Sequence, residues 1–175
     1  MNIKKLLFCL LLLTSFSNAF AQQPEAATAI LDKAYKQAKK ENKKVFVMFH
    51  ASWCGWCKKM DNNMNSIALK NYFDQNYVVA HLTVTESPKN KNLENPGGDL
   101  VLKQFNAEKA GLPFFVILDA NGKLLEDSFN AKGENLGCPS SPEEVTEFTA
   151  MLKKTSKLKD AELAQIAEVF IIKKK

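Results

Sequence analysis

Three runs of nearly unbroken apolar residues, Val45–Phe49, Tyr77–Val84 and Phe114–Leu118, constrain the fold of this chain most tightly. Such a continuous run of β formers fits a strand covered on both faces, as at the centre of an α/β sheet. Between the runs the apolar spacing turns helical. Ala27, Ile30, Leu31, Ala34 and Ala38 share one face of a helix within Pro24–Asn42. Further helices are expected at about 54–63 and at 66–75, the latter carrying Ile67, Leu69, Tyr72 and Phe73. The stretch 85–98 is polar and rich in Asn, Lys, Pro and Gly, and reads as a loop; Asp99 is placed as the cap of a short helix behind it. Asp119-Ala120-Asn121-Gly122 carries the Asn-Gly signal of a hairpin, which returns as a fourth strand at 123–129. After a second loop, 130–141, Ser141 caps a helix that opens with Pro142 and runs to Lys154. A last helix, at 160–172, puts Leu163, Ile166, Ala167, Phe170 and Ile171 on one face. The order α-β-α-β-α-β-β-α-α predicts an α/β fold: a mixed central sheet with helices on both faces, plus a C-terminal helical extension.

The first 21 residues read as a cleavable export signal rather than as part of the fold. Lys4 and Lys5 precede the apolar run Leu6–Leu13, and Ala19-Phe20-Ala21 is a small-x-small cleavage site. The run is well short of the roughly 20 residues that span a bilayer. Cys9 lies inside it and cannot begin the mature chain. Removal leaves 154 residues with 22 lysines against 19 acidic groups, a net charge of +3. That length suits one domain with a sizeable core, here 22–157, followed by the extension 158–175. The basic residues are all lysines scattered along the chain, which argues for a solvated surface and against a nucleic-acid footprint. The terminal Lys173-Lys174-Lys175 reads as a solubilising tail. An exported, periplasmic or secreted location is expected, with no membrane span once the signal is gone.

Three cysteines then remain, Cys54, Cys57 and Cys138, in a compartment that permits disulfides. The odd count leaves at least one thiol free, shared or transient. Two residues separate Cys54 from Cys57, and the pair opens a helix directly after a strand. The first cysteine of such a pair gains thiolate character from the helix N-terminus, and the second lies one turn on, able to close the ring. Thiol–disulfide exchange needs both, an attacking thiolate and a resolving thiol. Cys54 is therefore the expected nucleophile and Cys57 the resolving cysteine, in chemistry that needs no cofactor. A zinc site would draw on Cys138, His50 and His81, but a second closely spaced pair is missing, so no metal is expected. A purely structural disulfide over so short a loop would stabilise little.

The stretch Phe49-His50-Ala51-Ser52-Trp53-Cys54-Gly55-Trp56-Cys57-Lys58-Lys59-Met60, followed much later by Gly111-Leu112-Pro113-Phe114, resembles the thioredoxin superfamily. It is most similar to exported bacterial thioredoxin-like proteins whose active site reads W-C-G-W-C-K-K, over about Ala26 to Lys154. The resemblance implies a thioredoxin fold and a thiol–disulfide oxidoreductase acting on protein thiols or disulfides with an unidentified redox partner, as a reductant. It identifies Cys54 and Cys57 as the redox pair and Trp53, Gly55 and Trp56 as its frame. Pro113 matches the family's cis-proline, and Leu112 would offer backbone groups to an extended substrate segment. A peptide-binding, chaperone-like module with redox activity secondary is the alternative.

The chain also departs from the family. Thioredoxins carry a buried aspartate in the strand before the motif, and Met48 stands there. Trp56 replaces the usual proline between the cysteines. His50 could move protons near neutral pH or could simply pack beside the site. Cys138 could lie at the rim of the pair and join the exchange, or be a bystander thiol.

Overall fold

The computed structural model describes residues 23–172; the expected export signal and the lysine tail lie outside them. Helix α1, Ala27–Glu41, buries Ala27, Leu31, Ala34 and Ala38 and stops at Asn42, whose φ of 53° ends it in the left-handed region. Lys39 and Lys40 sit in its last turn, where cations meet the negative end of the helix dipole. Strand β1, Lys44–His50, follows at once, and its five central residues are all buried. Then come α2, Gly55–Met64, α3, Lys70–Asn76, and strand β2, Tyr77–Thr83. A 3-10 turn at Pro88–Leu93 leads to α4, Gly98–Gln104. Strands β3, Phe114–Leu118, and β4, Leu124–Asp127, form the hairpin, and α5, Pro142–Thr155, and α6, Asp160–Phe170, close the chain.

The sheet order is β2-β1-β3-β4. β1 runs parallel to β2, with Met48 opposite His81 and His50 opposite Thr83, and antiparallel to β3. β4 joins antiparallel to β3, with an irregularity at Ile117/Leu118. This is the mixed sheet of a thioredoxin fold, and alternation along β1 splits its side chains between two packed layers. Val45, Val47 and Phe49 meet Phe114 and Val116 under α1 and α4. Phe46 and Met48 meet Phe115 and Ile117 under α2, α3, α5 and α6.

A file of rings crosses this second layer to the C-terminal helix. Phe46 stacks on Phe115 with centroids 5.1 Å apart, Phe115 meets Phe148 at 5.5 Å, and Phe148 meets Phe170 at 5.1 Å. Leu163 and Ile166 are buried in the same layer, and the Ile172 N–H donates to the Ser140 carbonyl at 3.0 Å. The helical extension is thus built into the core. Ser141 begins α5 with a reciprocal capping box to Glu144, an arrangement that contributes about 1 kcal/mol.

Four local expectations change. The helix expected from Ser66 begins at Lys70, because Ser66–Leu69 forms turns whose Leu69 and Lys70 amides both donate to the Ser66 carbonyl. Ile67, expected on its apolar face, is fully exposed. The short helix is entered through Gly97, at φ 79°, while Asp99 lies inside its first turn and caps nothing. Gly98 follows because a Cβ there would come within 2.9 Å of Val84 Cγ1. The loop at 85–98 holds the 3-10 turn, and β4 ends at Asp127, after which Phe129 makes a single bridge to Asn135.

Candidate active site

Cys54 and Cys57 are joined in a disulfide at the start of α2, with Cα atoms 5.3 Å apart. Cys54 is the N-cap of the helix, and its Sγ accepts the Cys57 N–H at 3.0 Å. One of the unpaired amides of the helix start is thereby aimed at the sulfur. Both residues are almost fully covered, at 4% and 2% exposure. Ala51 is packed with them and Leu112 leans against the cluster, which explains the cover over Cys54. Gly55, the first helical residue, has open space where a Cβ would stand.

The two tryptophans stay outside, Trp53 58% and Trp56 51% exposed. The Trp53 indole N–H donates to the Thr85 carbonyl at 3.0 Å, which fixes the ring beside the pair. Thr85 itself sits at φ 49°, rare for a β-branched residue. The next residue, Glu86, is buried, and its carboxylate accepts both the Ser52 amide and the Ser52 hydroxyl, the latter at 2.8 Å. Burial alone would raise the Glu86 pKa, but these bonds and one from the Ser87 amide outweigh it and hold the group below its ordinary value. Glu86 thus ties the segment before Cys54 to the end of β2.

The Leu112–Pro113 peptide is cis, and Pro113 is buried while Leu112 is partly exposed. Asn135 clasps this turn from the later loop: its amide nitrogen donates to the Ala110 and Pro113 carbonyls, each at 3.0 Å. Its amide oxygen accepts the Ser128 hydroxyl at 2.7 Å. Neither Glu86 nor Asn135 stood out in the sequence. Each is far along the chain from the motif it braces, and each falls in a loop where isolated polar residues are ordinary.

Two cavities lie beside the active-site segment, the first reaching it at Trp53 and Leu112 and the second at Cys57. One, of about 250 Å³, is lined by Trp53, Thr85, Leu102, Ala107 and Leu112, with Glu108 and Lys109 at its side. The other, of about 380 Å³, runs between Cys57 and Met48, His50, Lys58, Asp61 and His81. A larger cavity of about 460 Å³ lies along β2 near Phe73 and Tyr77, and neither cysteine lines it. His50 is half-buried; burial, and then the neighbouring His81, lower its pKa, partly offset by Asp61 and Glu86.

Cys138 is not in this cluster. It is buried in the layer that holds Met48, Phe115 and Phe148, and burial pushes its thiol up to about 11. Of the two readings, a rim thiol or a bystander, this position suits the bystander: Leu136, Cys138 and Val145 all turn into the same apolar layer. Among the described residues, no group of three or more His, Cys, Asp or Glu side chains converges to hold a metal ion.

The sequence model of a family described as thioredoxin-like matches residues 26–120. Several solved structures are similar to the chain at low identity. A disulphide isomerase from Xylella fastidiosa Temecula1 is 17% identical over 82% of this chain and 88% of its own, with a TM-score of 0.48. A DsbH oxidoreductase is 22% identical over 75% and 84%, with a TM-score of 0.46. The C-terminal domain of Neisseria meningitidis DsbD, in its oxidised form, is 24% identical over 59% and 84%, with a TM-score of 0.41. The family match spans more than half of the chain, and the chain belongs to the thioredoxin-like family.

Proposed function

We propose that this thioredoxin-like protein is an exported thiol–disulfide oxidoreductase that reduces disulfides in other proteins through Cys54 and Cys57. The observation that carries the reading is the disulfide at the head of α2, with the Cys57 amide directed at Cys54 Sγ. In the reduced pair that N–H and the positive helix end would stabilise a Cys54 thiolate. The thiolate attacks a substrate disulfide, forming a mixed disulfide and releasing one substrate sulfur as thiolate. Cys57 then attacks Cys54 Sγ, the ring closes again, and the second substrate sulfur leaves. Two electrons pass from the pair to the substrate. Leu112, beside the pair, would present its backbone to an extended substrate segment.

Export rests on the pattern of residues 1–21. No helix among the described residues is long and apolar enough to cross a membrane. The exposed Trp53 and Trp56 favour a second reading, a peptide-holding module in which redox chemistry is secondary.

Insulin reduction with dithiothreitol as electron source separates the two. Cys54→Ser should lower the rate by on the order of a thousandfold, because a covalent step loses its nucleophile. A variant as active as the parent would overturn the oxidoreductase reading. Unchanged peptide binding by Cys54→Ser, with no redox activity in the parent, would favour the second.

A further inference from the structure

When Cys57 acts as resolving thiol it must first lose its proton, and at 2% exposure it cannot simply hand it to bulk water. Met48, which lines the same cavity as Cys57, has no group that takes a proton. The cavity of about 380 Å³ that Cys57 lines is also lined by other groups: His50 from β1, His81 from β2, and Lys58 and Asp61 from α2. Strand register puts them there. Met48 and His81 are direct partners on neighbouring strands, as are His50 and Thr83, so all four share the face that α2 covers. Asp61 lies one helical turn beyond Cys57.

We infer that His50, supported by His81 and Asp61, takes the proton of Cys57 through this cavity, in the place that a buried acid would otherwise fill. The inference rests on the oxidoreductase reading above. The remaining candidates are already committed. Lys58 is a cation with no lone pair to offer, and Asp61 accepts the His81 N–H at 3.1 Å. His50 packs edge-on to His81 with ring centroids 5.5 Å apart, and its Nε2 lies 3.3 Å from Thr83 Oγ1, which holds the ring in place. Glu86 adds negative potential from the end of β2. A neutral imidazole with a carboxylate behind its neighbour is a base matched to neutral pH. The step balances: Cys57 Sγ–H gives its proton to the His50 imidazole by way of cavity water, and its electron pair forms the bond to Cys54 Sγ. The substrate thiolate leaves, and the imidazolium returns the proton to solvent through the cavity mouth. His81 and Asp61 act as positioning residues.

The test isolates the resolving step. Reduced protein is mixed with Ellman's reagent in a stopped-flow instrument from about pH 5 to 9. Cys54 captures one thionitrobenzoate, and Cys57 then expels it. In the parent, the second release should slow at acid pH, below the ordinary imidazole value of about 6.5, as the imidazole becomes protonated. His50→Gln keeps a polar side chain beside Thr83; it should slow that release at least about tenfold at pH 7, with recovery near pH 9 as Cys57 ionises unaided. Asp61→Asn should move the acid limb to lower pH, since it removes the charge that favours a protonated imidazole. An unchanged pH profile in His50→Gln overturns the inference, and so does a uniform loss at every pH, which marks a structural role. A parent that shows no second release at any pH overturns the oxidoreductase reading itself.

Discussion

The two flanks of the disulfide differ in the groups they offer: one presents an indole, the other a pair of imidazoles. Beside Trp53 and Leu112 lies a trough lined by Leu102 and Ala107, with Thr85, Glu108 and Lys109 at its side and the indole pinned to the Thr85 carbonyl. On the Cys57 side two imidazoles, a carboxylate and an ammonium stand with Met48, Ala51 and Ser52 around a cavity of about 380 Å³. The difference tracks the two halves of the proposed reaction. A surface that receives another chain gains from apolar area and a fixed aromatic edge. A wall that receives a proton needs a lone pair and some water. One disulfide can serve both because α2 presents its sulfurs between the end of β1 and the Leu112 turn.

That contrast makes predictions of decreasing size. The largest concerns the third thiol, which belongs to neither flank. Burial raises Cys138 to about 11, so on the order of 10⁻⁴ of it is thiolate at pH 7. In the reduced protein, iodoacetamide should label Cys54 at least about a hundredfold faster than Cys138. Mass mapping that finds comparable rates would return Cys138 to the rim of the site. Next, Leu112→Ala trims the trough without touching the proton side. It should lower kcat/KM for insulin by about tenfold, close to 1.4 kcal/mol, while the first reaction with Ellman's reagent changes less than about twofold. Equal losses in both assays would mean that Leu112 shapes the pair and not the substrate.

The smallest effect is on stability. The folded-state pKa of His50 is lowered by burial and by His81, below the unfolded value of about 6.5. The unfolded chain therefore binds the proton more readily, and stability must fall as the pH drops from about 6.5 through the folded value. Urea midpoints measured across that range should slope less in His50→Gln than in the parent. Identical slopes would show that His50 is as solvated folded as unfolded, and the contrast between the flanks would shrink.

Much of this layout was legible in the residues. Val45–Phe49 announced a central strand because every side chain on it is apolar, and the Cys-Gly-Trp-Cys spacing placed both sulfurs on the first turn of α2. What stayed hidden depends on register. His81 reads as one polar residue in an otherwise apolar strand, and Asp61 as one acid on a polar helix face. Only the pairing of Met48 with His81 sets them against each other beneath α2. Glu86 and Asn135 were silent for a similar reason, since their partners Ser52 and Pro113 are more than 20 residues away in sequence. Ile67 misled in the opposite direction. Its spacing suited a helix face, yet the Ser66 carbonyl draws the Leu69 and Lys70 amides into a turn, and the side chain is left in solvent.

The chain contains two tryptophans, and they are Trp53 and Trp56. All of its indole emission therefore originates at the disulfide, one ring held against the Thr85 carbonyl and the other seated between the two sulfurs in sequence. A neighbouring disulfide quenches an excited indole by accepting an electron, and a dithiol does so far less. The protein thus carries its own optical gauge of oxidation state: brightening on reduction and dimming on turnover could be followed without any dye or engineered label.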